Sequence, residues 1–508
     1  MQVNQTKVIV LGRAIVVGLG VGIVVSSFRW LIGLIFAGWL QLYKLAHQSA
    51  WWIVGLILLM VVLTWVVGWI IKPDPNVGGS GIPQVEGQLA GQLKVNAWSV
   101  LWRKYLAGLI TIGSGALLGR EGPSIQLGAA VGQMYAQFRK ADEQNQRLMI
   151  ATGAAAGLSA AFGAPIAGAM FIMEEVYRSF SVLVWLGALT GALMADLVAS
   201  QIFGLKPVLA LQLPANLPIH YWGYLVIFGA LLGVFGIAYQ RITLWSGSIY
   251  RVFAWLPRQY HFALVFAVLL PMGYFIPALM GGGAELIMDT AHTMPLLPIL
   301  LVILVIRFIV SAISFGSGVP GGIFLPILTL GAIGGAVFGS VLSGLHLLPS
   351  QFIPYFMMVG MAGYFAGISK APFTGIILIA EMVGSMSQLV GMGIVALTAY
   401  IVVDMLGGAP IYESLLQRLN LQANLAELTG HVTDHPVVVA LGSRFENSEI
   451  RSLTLPKGVL ITRIVRAGRD MLPNGDFVLQ VGDEMHVLVD DAHFAAVWAK
   501  INQLNHGE

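Results

Sequence analysis

Apolar residues run almost unbroken along the chain from Val8 to Met405. They fall into stretches long enough to cross a bilayer, which takes about 20 residues each. The stretches 8–38, 51–71, 183–204, 219–241, 261–280, 297–313, 327–345 and 386–405 each predict a membrane helix. Near residue 430 the pattern changes. "VVVALG" (437–442), "VLITRIV" (459–465), "FVLQV" (477–481) and "EMHVLV" (484–489) read as short strands, with a turn at "LPNGD" (472–476) and a helical tail at 492–504. Of the 51 Asp, Glu, Lys and Arg residues, 17 lie in the last 79 positions, as a water-exposed segment requires. The pattern predicts an all-α polytopic membrane domain over 1–420, a linker over 421–435 that includes "LQANLAEL" (421–428), and a small α/β soluble domain over 436–508.

Composition excludes a soluble globular chain. Of 508 residues, 57% are hydrophobic and 10% charged, against about 25% charged in soluble domains. The net charge of +3 does not mark a nucleic-acid partner. Basic residues (Arg103–Lys104, Arg139–Lys140, Arg251, Arg258) stand at the ends of predicted spans, as cytoplasmic loops require. The absence of cysteine excludes disulfides and thiolate metal sites. The first apolar stretch is too long for a signal peptide and lacks a small-residue cleavage site, so it reads as a retained helix. No HExxH pair occurs among the histidines, and no P-loop lysine motif is present, so neither a zinc hydrolase nor an ATP-driven pump is indicated. The chain reads as a transporter rather than an enzyme, with no cofactor and no metal.

The membrane part repeats itself. "GSGALLGREGPSIQLGA" (113–129) agrees with "GSGVPGGIFLPILTLGA" (316–332) at eight of seventeen positions without a gap, Gly119/Gly322 and Pro123/Pro326 among them. Further on, "APIAGAMFIMEE" (164–175) matches "APFTGIILIAEM" (371–382), aligning Glu174 with Glu381. Two copies, about 78–205 and 297–412, follow. Duplicated membrane units interrupted by Gly and Pro at matching places are the mark of transporters, whose broken helices end at mid-membrane around the substrate. A helix start there presents free N–H groups and the positive end of the helix dipole, which favours an anion.

Three loops have this character: "GGSGIP" (78–83, with Gly79, Gly81 and Pro83), "GREGP" (119–123, with Gly119, Arg120, Gly122 and Pro123) and "GGIFLP" (321–326, with Gly322). Ser80 adds a hydroxyl donor, and Tyr412 in "GGAPIYES" (407–414) offers a phenol after the last membrane helix. Arg120 and Glu121 are the only Asp, Glu, Lys or Arg between Tyr105 and Phe138. Each loop taken singly is also what a kink or a close helix crossing would use.

Taken together and in this order, "GSGIP", "GREGP", "GGIFLP" and Tyr412 resemble the CLC family of chloride channels and chloride/proton antiporters over nearly all of residues 8–420. The resemblance implies an inverted repeat of broken, tilted helices and a homodimer in the inner membrane, with segments 183–204 and 386–405 at the interface. It implies that the hydroxyls of Ser80 and Tyr412 and the amides of Ile323 and Phe324 hold a chloride ion, while Glu121 serves as the gate. As a carboxylate, Glu121 competes for an anion position; protonated, it leaves. A local Arg120–Glu121 ion pair is the competing reading, although adjacent residues of a helix do not face one another.

Glu174 is duplicated and reads as scaffold, whereas its neighbour Glu175 aligns with Met382. The resemblance places internal proton transfer at Glu175, a position where exchangers generally keep an acid and channels generally do not. Chloride/proton antiport is therefore expected, with a passive chloride channel as the alternative and Glu175 then a solvated helix end. Ser80 argues for chloride, since family members tuned to nitrate tend to carry proline there. Arg307 and Glu381 read as buried and hydrogen-bonded, and Asp404 as a helix-end residue.

Residues 436–505 resemble the C-terminal ligand-binding module of potassium-transport regulators (TrkA-C), through "LPKGVLITRIVRAGRDMLPNGDFVLQVGDEMHVLV" (455–489). The resemblance implies a cytoplasmic regulatory domain that senses a small-molecule ligand or makes a dimer contact, with a purely structural cap as the alternative. The module alone would suggest potassium transport, but no TVGYG-type filter is present.

Overall fold

The structure, a computed structural model, describes residues 5–178, 181–211, 217–424, 432–453, 455, 459–466, 468–490 and 494–506. The chain divides into two compact units, Met1–Ser414 and Leu415–Glu508.

In the first unit seven helices are long and apolar enough to cross a membrane, among the described residues: Lys7–Ala46, Ala50–Ile71, Val182–Phe203, Ile219–Phe253, Leu297–Gly316, Phe324–Gly344 and Ser350–Ser369. Two expectations need correcting. The stretch 261–280 yields only the helix Phe262–Phe275, which carries Pro271 inside it and stops at Ile276. The helix Ile353–Ser369 was missed; it is buried along its whole length. It touches protein on all sides, so small and polar residues replace the lipid-facing Leu and Ile that make a span obvious in sequence. The stretch 386–405 forms a shorter helix, Leu389–Met405.

The repeat is visible in the backbone. In each half a helix ends (Ala97–Gly113; Leu297–Gly316), a glycine loop follows, and a new helix starts (Glu121–Phe138; Phe324–Gly344). The matching third residues of both "GSG" loops, Gly115 (φ +88) and Gly318 (φ +77), take the left-handed conformation that a side chain resists. Each new helix then packs against the next one through facing glycines. A Cβ at Gly128 would run into the Gly153 carbonyl, and one at Gly331 would run into that of Gly360.

Two short helices complete the symmetry. The carboxylate of Glu381, near the end of Pro372–Val383, accepts from the amides of Ile166 (3.1 Å) and Ala167 (2.8 Å) at the start of Pro165–Phe171. The carboxylate of Glu174, just past the end of Pro165–Phe171, accepts from the amides of Phe373 (3.0 Å) and Thr374 (2.6 Å). The two helices therefore lie side by side in opposite directions, as an inverted repeat demands.

The second unit holds an antiparallel sheet with strands β1 (Val432–Val438), β2 (Val459–Arg466), β3 (Arg469–Met471) and β4 (Glu484–Asp490), in the order β1-β4-β2-β3. Its core joins Val437, Ile464, Met485 and Val487 to Val497 and Ile501 of the helix Phe494–His506. The expected strand 477–481 is not part of the sheet. That segment is extended but pairs with the preceding loop, the Leu479 amide donating to Ser448 and the Ile450 amide to Phe477. The first strand begins upstream of the expected 437–442, at Val432, where pairing with β4 starts, and stops at Val438, because the Val439 amide turns away to the Asp483 carbonyl. Of the expected connector 421–428, residues up to Asn424 continue the helix Ile411–Asn424; the rest, like 492 and 493 of the expected tail, lies outside the described residues.

Candidate anion and proton site

Three glycine loops from distant parts of the sequence are stitched together by their main chains. Gly119 and Gly322 exchange reciprocal N–H···O bonds of 2.7 Å. Gly79 donates to Gly318 (3.1 Å) and accepts from Gly321 (3.1 Å). The Thr111 hydroxyl donates to the Pro320 carbonyl at 2.6 Å. Lys104, expected at a loop end, is instead buried inside the helix Ala97–Gly113, and its ammonium donates to Gly79 (3.0 Å) and Gly78 (3.4 Å). The hydropathy pattern counted it as loop because its apolar neighbours end just there.

Polar atoms with no protein partner gather around these loops. Ser80 is buried and its Oγ makes no hydrogen bond. A Cβ on Gly122 would collide with that same Oγ, so the "GSGIP" and "GREGP" loops touch there. Gly81 (φ +99) and Pro83 open the helix Ile82–Leu89 behind Ser80. Ile323 and Phe324 are buried at the start of Phe324–Gly344, where amides have no acceptor within their own helix. Tyr412, second residue of Ile411–Asn424, is fully buried, and its Oη also lacks a partner. Its ring meets Phe171 edge-on at 6.3 Å, and Phe171 meets Phe324 at 6.0 Å, so one aromatic ring links the Tyr412 helix to the Phe324 helix start. Buried hydroxyl and amide donors without protein acceptors, with no full positive charge among them, suit a monovalent anion that must also leave.

Glu121 is the first residue of Glu121–Phe138, with Pro123 in its first turn. It is completely buried, and neither carboxylate oxygen has a hydrogen-bond partner. The carboxylate lies against Gly119, and the amides of Glu121 and Leu325 stand near it without reaching hydrogen-bond geometry. Arg120 Nε comes within 3.9 Å of Glu121 Oε1. The two residues do face each other after all, because Arg120 precedes the helix and escapes the helical spacing rule. The contact is long, and the guanidinium also reaches toward the Ala161 carbonyl at 3.5 Å. A cavity of about 340 Å³ opens beside Arg120 and Leu325.

Glu175 occupies the π-turn Ile172–Val176. It is 2% exposed and its Oε1 has no partner, so it is not a solvated helix end. Arg307 is buried as expected, donating to the carbonyls of Leu279 (3.0 Å), Gly281 (2.8 Å) and Gly282 (2.6 Å). Asp404 pairs with Lys370 at 2.6 Å. Among the described residues no three His, Asp or Glu are grouped to hold a metal ion. Sequence reasoning missed Lys104, Glu86 and Arg178. For Glu86 the available signal was its place three residues after the "GGSGIP" loop, and for Arg178 its place three residues after Glu175.

A repeated membrane unit with buried, partnerless donors at its loop junction defines a transporter of small anions. The chain belongs to the voltage-gated chloride channel (CLC) family, whose profile matches residues 60–404; residues 436–501 match the TrkA-C domain. It is 37% identical to the H(+)/Cl(-) exchange transporter ClcA of Vibrio campbellii over 355 residues, 68% of this chain and 75% of that protein. To ClcA of Klebsiella pneumoniae (strain 342) it is 33% identical over 437 residues, 82% and 90% of the two chains. Among solved structures, a slow cyanobacterial Cl-/H+ antiporter aligns with TM-score 0.77 and 30% identity over 82% of this chain and 99% of that one. A CLC-type fluoride/proton antiporter, at 22% identity and TM-score 0.66 over 80% and 98% of the two chains, shares the fold.

Proposed function

We propose that the protein exchanges chloride for protons across the membrane in which its helices lie. The observation that carries this reading is the pair of buried carboxylates with unpaired oxygens, Glu121 and Glu175, both close enough to the unpartnered Tyr412 hydroxyl to act on it electrostatically. Ser80, Tyr412 and the amides of Ile323 and Phe324 hold the central chloride. Glu121 as a carboxylate competes with chloride at the amides that open its helix; protonated, it yields the place, so each turnover links an anion to a proton. Glu175 passes the proton between Glu121 and the opposite aqueous side. Leaving either carboxylate charged without a partner in the membrane interior costs several kcal/mol, which supports a working role for both. The exchange practised by the relatives at 33–37% identity supports antiport over a passive channel.

The protein works as a homodimer: exposed Leu193, Leu197, Leu397 and Ile401 on the helices Val182–Phe203 and Leu389–Met405 supply an apolar face. The TrkA-C domain lies on the cytoplasmic side and takes a small-molecule ligand. The test uses purified protein in liposomes with a chloride gradient and an external pH electrode. Chloride running down its gradient drives protons uphill, and Glu175→Gln abolishes the proton signal while chloride still moves. Chloride flux without proton movement in the unaltered protein would assign a channel instead. Rubidium flux would assign cation transport.

A further inference from the structure

A second buried carboxylate, which the exchange reading does not use, lies on a helix packed against the turn that carries Glu175. Glu86 lies on Ile82–Leu89, the helix that begins beside Ser80 and packs against the Ile172–Val176 turn. Its side chain is 8% exposed; Oε1 pairs with Arg178 at 3.1 Å, and Oε2 has no partner. Arg178 also pairs with Glu413 at 2.7 Å and donates through Nε to the Glu175 carbonyl at 3.3 Å. Side-chain exposure rises along this series, from Glu86 (8%) through Glu413 (29%) to Arg178 (42%). One guanidinium thus joins the helix after Ser80, the turn carrying Glu175 and the helix carrying Tyr412, and does so at the surface of the unit.

We propose that Glu86 is a proton-transfer residue of the exchange cycle, carrying protons between bulk water at Arg178 and Glu413 and the carboxyl of Glu175. The inference rests on the exchange reading above. In the step, hydronium at the Arg178 rim gives its proton to Glu86 Oε2 and becomes water. That O–H bond then breaks as the proton passes to Glu175, and Glu86 is left as a carboxylate to be recharged. Arg178 stabilises the carboxylate between deliveries, which keeps a charge at this depth affordable, and it holds Oε1 so that Oε2 stays free. Glu86, Arg178, Glu174 and Glu413 all act electrostatically on Glu175, and Arg178 and Glu413 act on Glu86 itself. Of the other helices packed on Ile82–Leu89, one starts with Glu121 and carries Tyr135, and the other brings Glu143 and Arg147 in its first turns.

The experiment measures chloride and proton flux in the same liposomes for the unaltered protein, Glu86→Gln and Glu86→Asp. Glu86→Gln lowers the protons moved per chloride at least about fivefold while chloride flux stays within about twofold, and Glu86→Asp keeps most of the proton flux. An unchanged ratio in Glu86→Gln overturns the proposal and leaves the exchange reading standing. Equal loss of both fluxes assigns Glu86 to the scaffold and also overturns it. An unaltered protein that moves no protons overturns both readings. Should Glu86→Gln not purify as a monodisperse protein, Arg178→Gln decides. Removing the cation lets Glu86 keep its proton to higher pH, so the half-maximal pH of proton flux rises by about one unit; an unmoved midpoint overturns the proposal.

Discussion

Glu174 and Glu381 cap each other's helices: each carboxylate accepts the free amides at the start of the helix that leads to the other. Glu174 also accepts from the Thr374 hydroxyl at 2.7 Å. Free amides at a buried helix start have no intrahelical acceptor, so these carboxylates answer a need that both copies of the repeat share.

Glu381→Ala should destabilise the membrane unit. It removes two charge-assisted bonds, each contributing about 1.5–3 kcal/mol, and strands the amides of Ile166 and Ala167. Glu381→Gln keeps one acceptor oxygen and costs less. Thermal unfolding in detergent should show Glu381→Ala melting several degrees lower, Glu381→Gln in between, and the same ranking at Glu174. Equal melting temperatures would show that the caps do not hold the repeat together.

How much of this could be read from sequence depended on whether a residue's chemistry matched its neighbourhood. Gly115 and Gly318 sit in a repeated "GSG" because both loops need a left-handed residue, and that need is written into both copies. The same repeat pairs Glu174 with Glu381. Ile353–Ser369 escaped because burial on all sides removes the lipid-facing pattern that hydropathy detects. Lys104 escaped because a lysine at the edge of an apolar run looks solvated, and only the fold brings the Gly78 and Gly79 carbonyls to it. Phe477 and Leu479 have strand-like spacing, but their partners are loop residues 448 and 450, which no local pattern announces.

Glu121→Gln should separate chloride from protons. The amide cannot take up or release a proton, nor compete as an anion. In liposomes chloride flux should persist and the uphill proton signal should vanish. Unaltered protein should move chloride faster as pH falls, since protonation frees the position, whereas Glu121→Gln should lose that dependence. A pH-dependent variant would place the titrating gate elsewhere.

Tyr412→Phe and Ser80→Ala should each weaken chloride binding without unfolding the protein. Both hydroxyls are buried and lack protein partners, so removing either orphans nothing within the chain. A hydrogen bond to a charged group contributes about 1.5–3 kcal/mol, and 1.4 kcal/mol is tenfold in affinity. Calorimetric titration with chloride should therefore show Kd rising at least about tenfold, with unfolding temperature near that of the unaltered protein. Unchanged affinity would remove that hydroxyl from the anion site.

In the second unit, Arg466 grips Asp483 through two bonds of 2.7 Å, and the Gln480 amide donates to the same carboxylate at 2.8 Å. Burial works against the charge at Asp483, but these bonds outweigh it and hold its carboxyl below the usual carboxylate range. A folded value below the unfolded one of about 3.9 means that the stabilisation is fully present above roughly pH 4 and is lost as pH falls through the folded value. Asp483→Asn cannot form the ion pair at any pH. Hydrogen exchange across β4 in the full chain should be faster in Asp483→Asn at pH 7. After correction for intrinsic exchange rates, the difference should shrink as pH drops below about 4. A difference that persists undiminished at low pH would mean that the ionised carboxylate of Asp483 is not what steadies β4.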